Sequence, residues 1–247
     1  MTRSFQRKTF ITFGGPSQNY YNSVNRIVGE AKELNYFDEI HGYTDIDLKN
    51  ATEFWNTHKN FIENSPSGYG YWIWKPYIIK TQLNTMINND ILVYCDAGCT
   101  INKNGINRLN EYIDMLNNDK DNYGIISFQL DHKEHLFTKK AIFDHFHTEE
   151  HIKMLPQCLG GILLIKKTSH SINIINKWHE ASMNHGLIDS TLSSNESPHF
   201  IANRNDQSLL SVLVNTYGSI KLKDETFFNN TWNTDGKMYP FWATRSI

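Results

Sequence analysis

Apolar residues along this chain follow two rhythms. Runs of strand length alternate with longer segments in which apolar positions recur every three or four residues, the pattern of an α/β sheet with crossover helices. "KTFITFGG" (8–15) reads as a first strand stopped by two glycines, and Ser17 to Leu34 as a helix with Val24, Ile27, Val28, Ala31 and Leu34 on one face. "FDEIHGYT" (37–44) supplies a second short strand, and a polar helix is expected from Asp47 to Asn64. Behind "SPSGYGYWIWKP", the positions Ile78, Ile79, Leu83 and Ile87 mark a helix with Pro76 in its first turn, where a missing N–H costs nothing. "DILVYCDAG" (90–98) is the clearest strand: continuous apolar residues, a carboxylate at the far end, then Gly98 for a turn. A helix over 105–117 follows, with strands at "YGIISFQL" (123–130) and "CLGGILLIKK" (158–167). The next helix runs from a capping Ser169 to Asn184, with Ile172, Ile175 and Trp178 inward. Residues 186–205, rich in Ser, Asn and Pro, read as a long loop beside a site, and "NDQSLLSVLVNTYG" (205–218) as a helix capped by Asn205 or Asp206.

Composition narrows the class. With 247 residues, 39% hydrophobic and 13% aromatic, the chain can bury a sizeable core, and one decorated domain is the simplest organisation. A net charge of -2 without a Lys/Arg cluster lacks the footprint of a nucleic-acid binder. Three cysteines, an odd number, point to reduced thiols in a cytoplasmic compartment; Cys95 and Cys99 straddle Asp96 but lack a second metal-ligand pair. The opening "MTRSFQRKTFITFGG" reads neither as a signal peptide nor as an anchor, and no run approaches the roughly 18 apolar residues of a membrane span.

Two stretches carry candidate chemistry. Ligands of open α/β sheets sit beyond the carboxyl ends of strands, so Asp96 either faces a ligand or caps the turn Asp96-Ala97-Gly98. In "GYGYWIWKP" (68–76), Lys75 at a helix start makes an anion site suited to diphosphate. Tyr69, Tyr71, Trp72 and Trp74 either stack on a base or sugar or fill core, and Gly68 and Gly70 let the backbone bend closely around a ligand. A rival is "HTEEH" (147–151), which with His145 nearby matches the His-x-x-Glu-His pattern of inverted zinc peptidases. Its flanks lack the long amphipathic helix such a site is mounted on, so a solvated helix end is expected.

Taken in order, "GYGYWIWKPYII", "DILVYCDAGC", "LFTKKAIF", "GGILLIKK" ahead of a serine-started helix with an inner Trp, and "NRNDQSLLS" resemble a group of GT-A-type glycosyltransferases associated with bacterial and large-virus surface polysaccharides. The resemblance spans residues 10–218. It implies a single α/β domain with a GT-A-like, Rossmann-type mixed sheet flanked by helices. A nucleotide-sugar-binding half would cover about 8–130 and an acceptor-binding half about 131–247. The implied donor is a nucleoside-diphosphate sugar, a UDP-linked hexose, and the acceptor a glycan or glycolipid, with at most peripheral membrane contact. "YCDAG" looks like the DxD element, which makes Asp96, with Ala97 and Gly98, the site of the diphosphate and of a divalent cation, Mn²⁺ or Mg²⁺. The element departs at Gly98, where its second carboxylate stands, leaving Asp206, Asp131 or the diphosphate to complete a metal shell.

By the same resemblance Thr12, Phe13 and Gly14 would cradle the base or ribose beside Tyr43, with Trp74 and Lys75 completing the donor site. "NRNDQS" looks like a His-Arg-x-Asp-Gln-Ser motif with Asn203 in the histidine place. Arg204 and Gln207 would then face the sugar or acceptor with Gly160 and Gly161, and Asp206 would be the base of an inverting reaction or a sugar anchor of a retaining one. Asp131 and Lys139 join it as catalytic candidates, Lys139 to neutralise the departing diphosphate. Two other readings share these residues: a nucleotide-sugar hydrolase would use the same donor site, and a noncatalytic carbohydrate-binding protein needs only the aromatic platform.

Overall fold

The computed structural model describes residues 5–246. β1 (Lys8–Phe13) and α1 (Gln18–Glu33) lead to β2 (Glu39–Tyr43), which lies parallel to β1. The helix expected over 47–64 is two, α2 (Asp45–Asn50) and α3 (Thr52–Asn64), because Ala51 leaves helical geometry at ψ 73°. A short turn, α4 (Gly68–Tyr71), precedes α5 (Trp74–Thr85), which ends before the exposed Ile87. β3 (Ile91–Cys95) then pairs in parallel with the other edge of β1. β4 (Thr100–Ile101), α6 (Ile106–Asn117) and β5 (Ile125–Lys133) follow. Three short helices, α7 (Glu134–Phe137), α8 (Lys140–His145) and α9 (Glu150–Lys153), connect to β6 (Pro156–Cys158) and β7 (Ile162–Lys166). The chain continues through α10 (Ser169–Met183), α11 (His185–Ile188), α12 (Asn205–Tyr217), β8 (Ile220–Lys223) and β9 (Phe241–Trp242).

The main sheet has the order β2-β1-β3-β7-β5-β6, with β8 parallel beside β5, and β4 and β9 form a two-stranded annex. It is mixed, since β7 runs antiparallel to β3 and β5. Helices cover both faces, and strand alternation sends side chains to each. Phe10, Ile91, Val93, Cys95, Ile162 and Leu164 pack with α1 and α6, while Ile11, Phe13, Leu92, Tyr94, Leu163 and Ile165 pack with α5, α10 and α12. Asp96, two residues beyond Tyr94, inherits the second face. One sheet holds strands from both proposed halves of the chain.

The strand expected over 158–167 is interrupted. β7 pairs with β5 at Ile125 and Ile126, and β6 continues along the same edge at Gln129 and Lys133, so Leu159, Gly160 and Gly161 bulge out between them. That bulge lies at the end of β3, where the Asp96 amide donates to Gly161 O at 2.8 Å.

Candidate active site

Three charged side chains converge there. The Lys75 ammonium lies 3.2 Å from Oδ1 of Asp96 and 2.8 Å from Oδ2 of Asp206, and donates to Gly160 O at 3.3 Å. Each component comes from a different element: Asp96 from the end of β3, Lys75 from the first turn of α5, Asp206 from the first turn of α12, and the carbonyl from the bulge. Lys75 and Asp206 are 3% and 5% exposed in their side chains whereas Asp96 is 38% exposed, so Asp96 is the member that meets solvent. Among the described residues Oδ2 of Asp206 has no well-aligned hydrogen-bond partner, and it is held by the charge of Lys75.

Burial sets the protonation of this cluster. It pushes the Asp206 carboxyl up, to about 6, against the opposing pull of Lys75. Burial alone would depress Lys75, but the charges of Asp206 and Asp96 override it and hold the ammonium above its ordinary range. Tyr94, buried under the cluster, donates its hydroxyl to Oδ1 of Asp96, and burial followed by that carboxylate drives its pKa well above the usual phenol. Trp178, fully buried on α10, donates its indole N–H to Asp206 O at 2.9 Å and fixes the start of α12.

The bulge is locked to the same helix. Gln207 accepts the Gly160 amide at 3.0 Å and donates to Gln157 at 2.9 Å, and Gln157 in turn donates to the buried Glu134. Both glycines permit close approach: a Cβ on Gly161 would sit 2.7 Å from Oδ2 of Asp96, and one on Gly160 would sit 3.0 Å from Cβ of Gln207. The sequence places these glycines with the sugar or acceptor; structurally they are the floor under Asp96 and Gln207.

The backbone before Lys75 is strained. Gly68, Tyr69, Gly70, Tyr71 and Trp72 have φ of 62, 48, 87, 50 and 62°, one left-handed turn. Left-handed geometry costs a non-glycine residue roughly 1–2 kcal/mol, and three of these five are not glycine. The turn is held by amides of Tyr71 and Trp72 donating to Ser67 O and Gly68 O, and by the Trp74 indole donating to Gly68 O at 3.0 Å. Strained backbone held by the surrounding fold clusters at functional sites, and this turn leads directly into the helix that carries Lys75, whose amide donates to Trp72 O at 2.9 Å.

Several expectations need correction. Lys75 is no free anion receptor, because two carboxylates and a carbonyl already surround its ammonium. Trp74 is core: its ring stacks on Phe13 at 3.9 Å between centroids and its N–H is committed, so the half-buried Tyr69, Tyr71 and Trp72 are the rings left at the surface. Lys139 is fully buried, and its ammonium contacts Asp189 O, Asp189 Oδ1 and Thr191 O at 2.9, 2.8 and 3.1 Å, which anchors the 186–204 loop. Asp131 is exposed on β5, with His132 and Asp224 as its charge neighbours. Neither Asn205 nor Asp206 caps α12: Arg204 is the N-cap residue, Asn205 donates to Ile188 O, and Asp206 turns to Lys75. At α10 the cap is Thr168, in a capping box with Ser171.

The remaining candidates line the neighbouring strand ends. Thr12 is buried, its Oγ1 without a hydrogen-bond partner among the described residues, the Gly14 amide donates to Tyr43 O at 3.1 Å, and the Tyr43 hydroxyl donates to Gln82 at 2.7 Å. Ala97 O accepts from Arg26, and Gly98 O accepts from Thr244 Oγ1 and the Ser246 amide. Of the residues that sequence reasoning missed, Tyr94 was within reach, since period-two alternation puts it on the Asp96 side. Arg26 and the strap over 243–246 had no such signal. In the zinc-like stretch, His151 contacts Glu149 at 3.2 Å on the surface, and no three His, Cys, Asp or Glu side chains gather as a metal set among the described residues. Two surface cavities of about 260 and 220 Å³ are lined by none of the clustered residues.

No family model and no curated protein sequence matches the chain. Solved structures do. A glycosyltransferase involved in the glycosylation of the major capsid of PBCV-1 superposes with a TM-score of 0.54 at 8% identity, over 96% of this chain and 91% of that one. Mouse xyloside xylosyltransferase 1 in its apo form gives 0.50 at 7% identity, over 96% and 97%. The fold is therefore the GT-A-like glycosyltransferase fold, in a single mixed α/β domain. No helix among the described residues is long and apolar enough to cross a membrane.

Proposed function

We propose that this protein transfers a hexose from a nucleoside-diphosphate sugar, UDP-linked, to a glycan or glycolipid acceptor. The observation that carries the reading is the Asp96–Lys75–Asp206 cluster at the carboxyl end of β3, where open α/β sheets bind ligands. Two carboxylates sharing one ammonium have been given different environments, a recurring way to separate chemical roles. Asp96, at the mouth, anchors hydroxyls of the donor. Asp206, buried and with its pKa raised to about 6, is ionised at neutral pH yet basic enough to take a proton. In the transfer step the acceptor hydroxyl attacks the anomeric carbon and its proton passes to Asp206. The bond from that carbon to the diphosphate oxygen breaks, and the nucleoside diphosphate leaves with the electron pair. The rate should rise with pH through about 6, because the base acts deprotonated.

Titration of nucleotide sugars by calorimetry tests the donor site. At least one is expected to bind the parent, and Asp96→Ala to weaken it about ten-fold or more, the loss of one charge-assisted hydrogen bond. Equal affinity in both proteins would remove Asp96 from the donor site. Donor consumed without an acceptor product would favour the hydrolase.

A further inference from the structure

We propose that the donor diphosphate is neutralised by an arginine pair, Arg204 and Arg245, in place of a divalent cation at Asp96; this rests on the nucleotide-sugar reading above. The residues at Asp96 do not fit a metal. Oδ1 already receives the Tyr94 hydroxyl and the Lys75 ammonium, which leaves Oδ2 as the remaining oxygen of Asp96. Asp206 faces the same ammonium, and Gly98 contributes no side chain, with its carbonyl bonded to Thr244 and Ser246. Hard cations need about six oxygens or more, and a buried ammonium between the carboxylates repels them.

Two arginines offer positive charge instead. Thr244 and Ser246 both bond to Gly98 O, and Thr244 also bonds to Thr100 at 2.9 Å. Arg245 between them, at φ 57°, is thereby pinned over the turn where the second DxD carboxylate would stand. The carbonyl of Ser246 accepts from Arg26 and Ser23, which ties the strap to α1. The second is Arg204, two residues before Asp206, half-buried with its guanidinium centre 4.1 Å from the Phe137 ring centroid. Among the described residues neither arginine has a carboxylate within ion-pair distance. Burial, and then the charge of Arg245, lower the pKa of Arg204, with Glu134 opposing weakly from within its own network. Two guanidiniums whose charges oppose each other, one on the strap over the Gly98 turn and one just ahead of Asp206, are satisfied by an anion with oxygens on both sides. Diphosphate matches, since each planar fork can take two phosphate oxygens.

Calorimetry with UDP, uridine and inorganic pyrophosphate, each in chelator and in Mn²⁺, tests the pair in the parent, Arg204→Lys, Arg245→Gln and the double Arg204→Gln/Arg245→Gln. The expected result is UDP binding in chelator that Mn²⁺ changes less than about three-fold, weakened about ten-fold by Arg245→Gln and about thirty-fold or more in the double variant. Arg204→Lys, which keeps the charge, should lose less than the double. Arg245 is exposed, so its variant carries the test even if Arg204→Gln misfolds. Tenfold tighter UDP binding with Mn²⁺, or variants that bind UDP like the parent, would overturn the proposal. If neither UDP nor uridine binds under any condition, the donor reading falls, and pyrophosphate decides the pair. Binding in chelator that disappears in the double variant supports it, and no binding to the parent overturns it.

Discussion

Asp206→Asn separates stability from activity. In the folded protein the Asp206 pKa stands at about 6, against 3.8 for an unperturbed aspartate. An acid with a raised folded pKa favours folding while it is protonated and disfavours it once ionised. From this group, stability is greatest below about pH 4 and falls as pH rises through 4 to 6, where the native state still holds a proton that the unfolded chain has released. Above pH 6 both states are ionised and the loss is complete. The gap between the two values corresponds to about 3 kcal/mol at 1.36 kcal/mol for each tenfold in proton affinity. Asparagine keeps the shape and cannot ionise, so Asp206→Asn should be about 1–3 kcal/mol more stable than the parent at pH 8, with no advantage at pH 4. Urea unfolding of both proteins from pH 4 to 8 gives the difference curve. A flat curve, or a variant less stable than the parent at pH 8, would refute the assignment of a strained, ionised carboxylate to this position.

Three other variants probe the surrounding parts. Lys75→Met leaves two carboxylates without their cation and should lose about 3–5 kcal/mol at pH 8 and less at pH 5, where Asp206 takes up a proton; denaturant melts at the two pH values check this. Tyr94→Phe deletes the hydroxyl on Asp96 and should cost about 1.5–3 kcal/mol by the same measurement, and an unchanged midpoint would mean that the bond contributes nothing. Gly161→Ala places a methyl 2.7 Å from Oδ2 of Asp96, and moving that carboxylate by about 1 Å should slow sugar transfer about a hundredfold. A rate within two-fold of the parent would show that the glycine is not needed there.

The sequence made the layout legible more than the pairing. Continuous apolar residues over 91–95 announce a central strand, and the alternation that buries Leu92 and Tyr94 against α5 also fixes the side on which Asp96 emerges. Order along the chain brought Lys75, Asp96, Gly160 and Asp206 under suspicion. Nothing in it says that Lys75 spends its charge on Asp96 and Asp206, because that depends on the angle at which α5 and α12 meet the sheet. Trp74 looked like a ligand wall since an aromatic run has no periodicity to distinguish core from surface, and its stacking on Phe13 is a contact over sixty residues apart. The left-handed turn from Gly68 to Trp72 violates local preference at three residues, so no propensity argument reaches it. The interruption between β6 and β7 hides inside one apolar run, and the strap at 243–246 lies in a stretch without regular hydrophobic spacing, paired through β9 to β4. The expected halves at 8–130 and 131–247 likewise say nothing of a cluster drawn from both.

Transfer itself is the direct test. The parent and Asp206→Asn are each incubated with nucleotide sugars and a pool of glycan and glycolipid acceptors, and products are weighed by mass spectrometry while donor affinity is measured by titration. The predicted result is an acceptor product heavier by one hexose with the parent. With Asp206→Asn the product should fall at least about a hundredfold, the range of a lost general base, while donor affinity stays within about three-fold. Equal product from both proteins, or no acceptor gaining mass from any donor, would contradict the account.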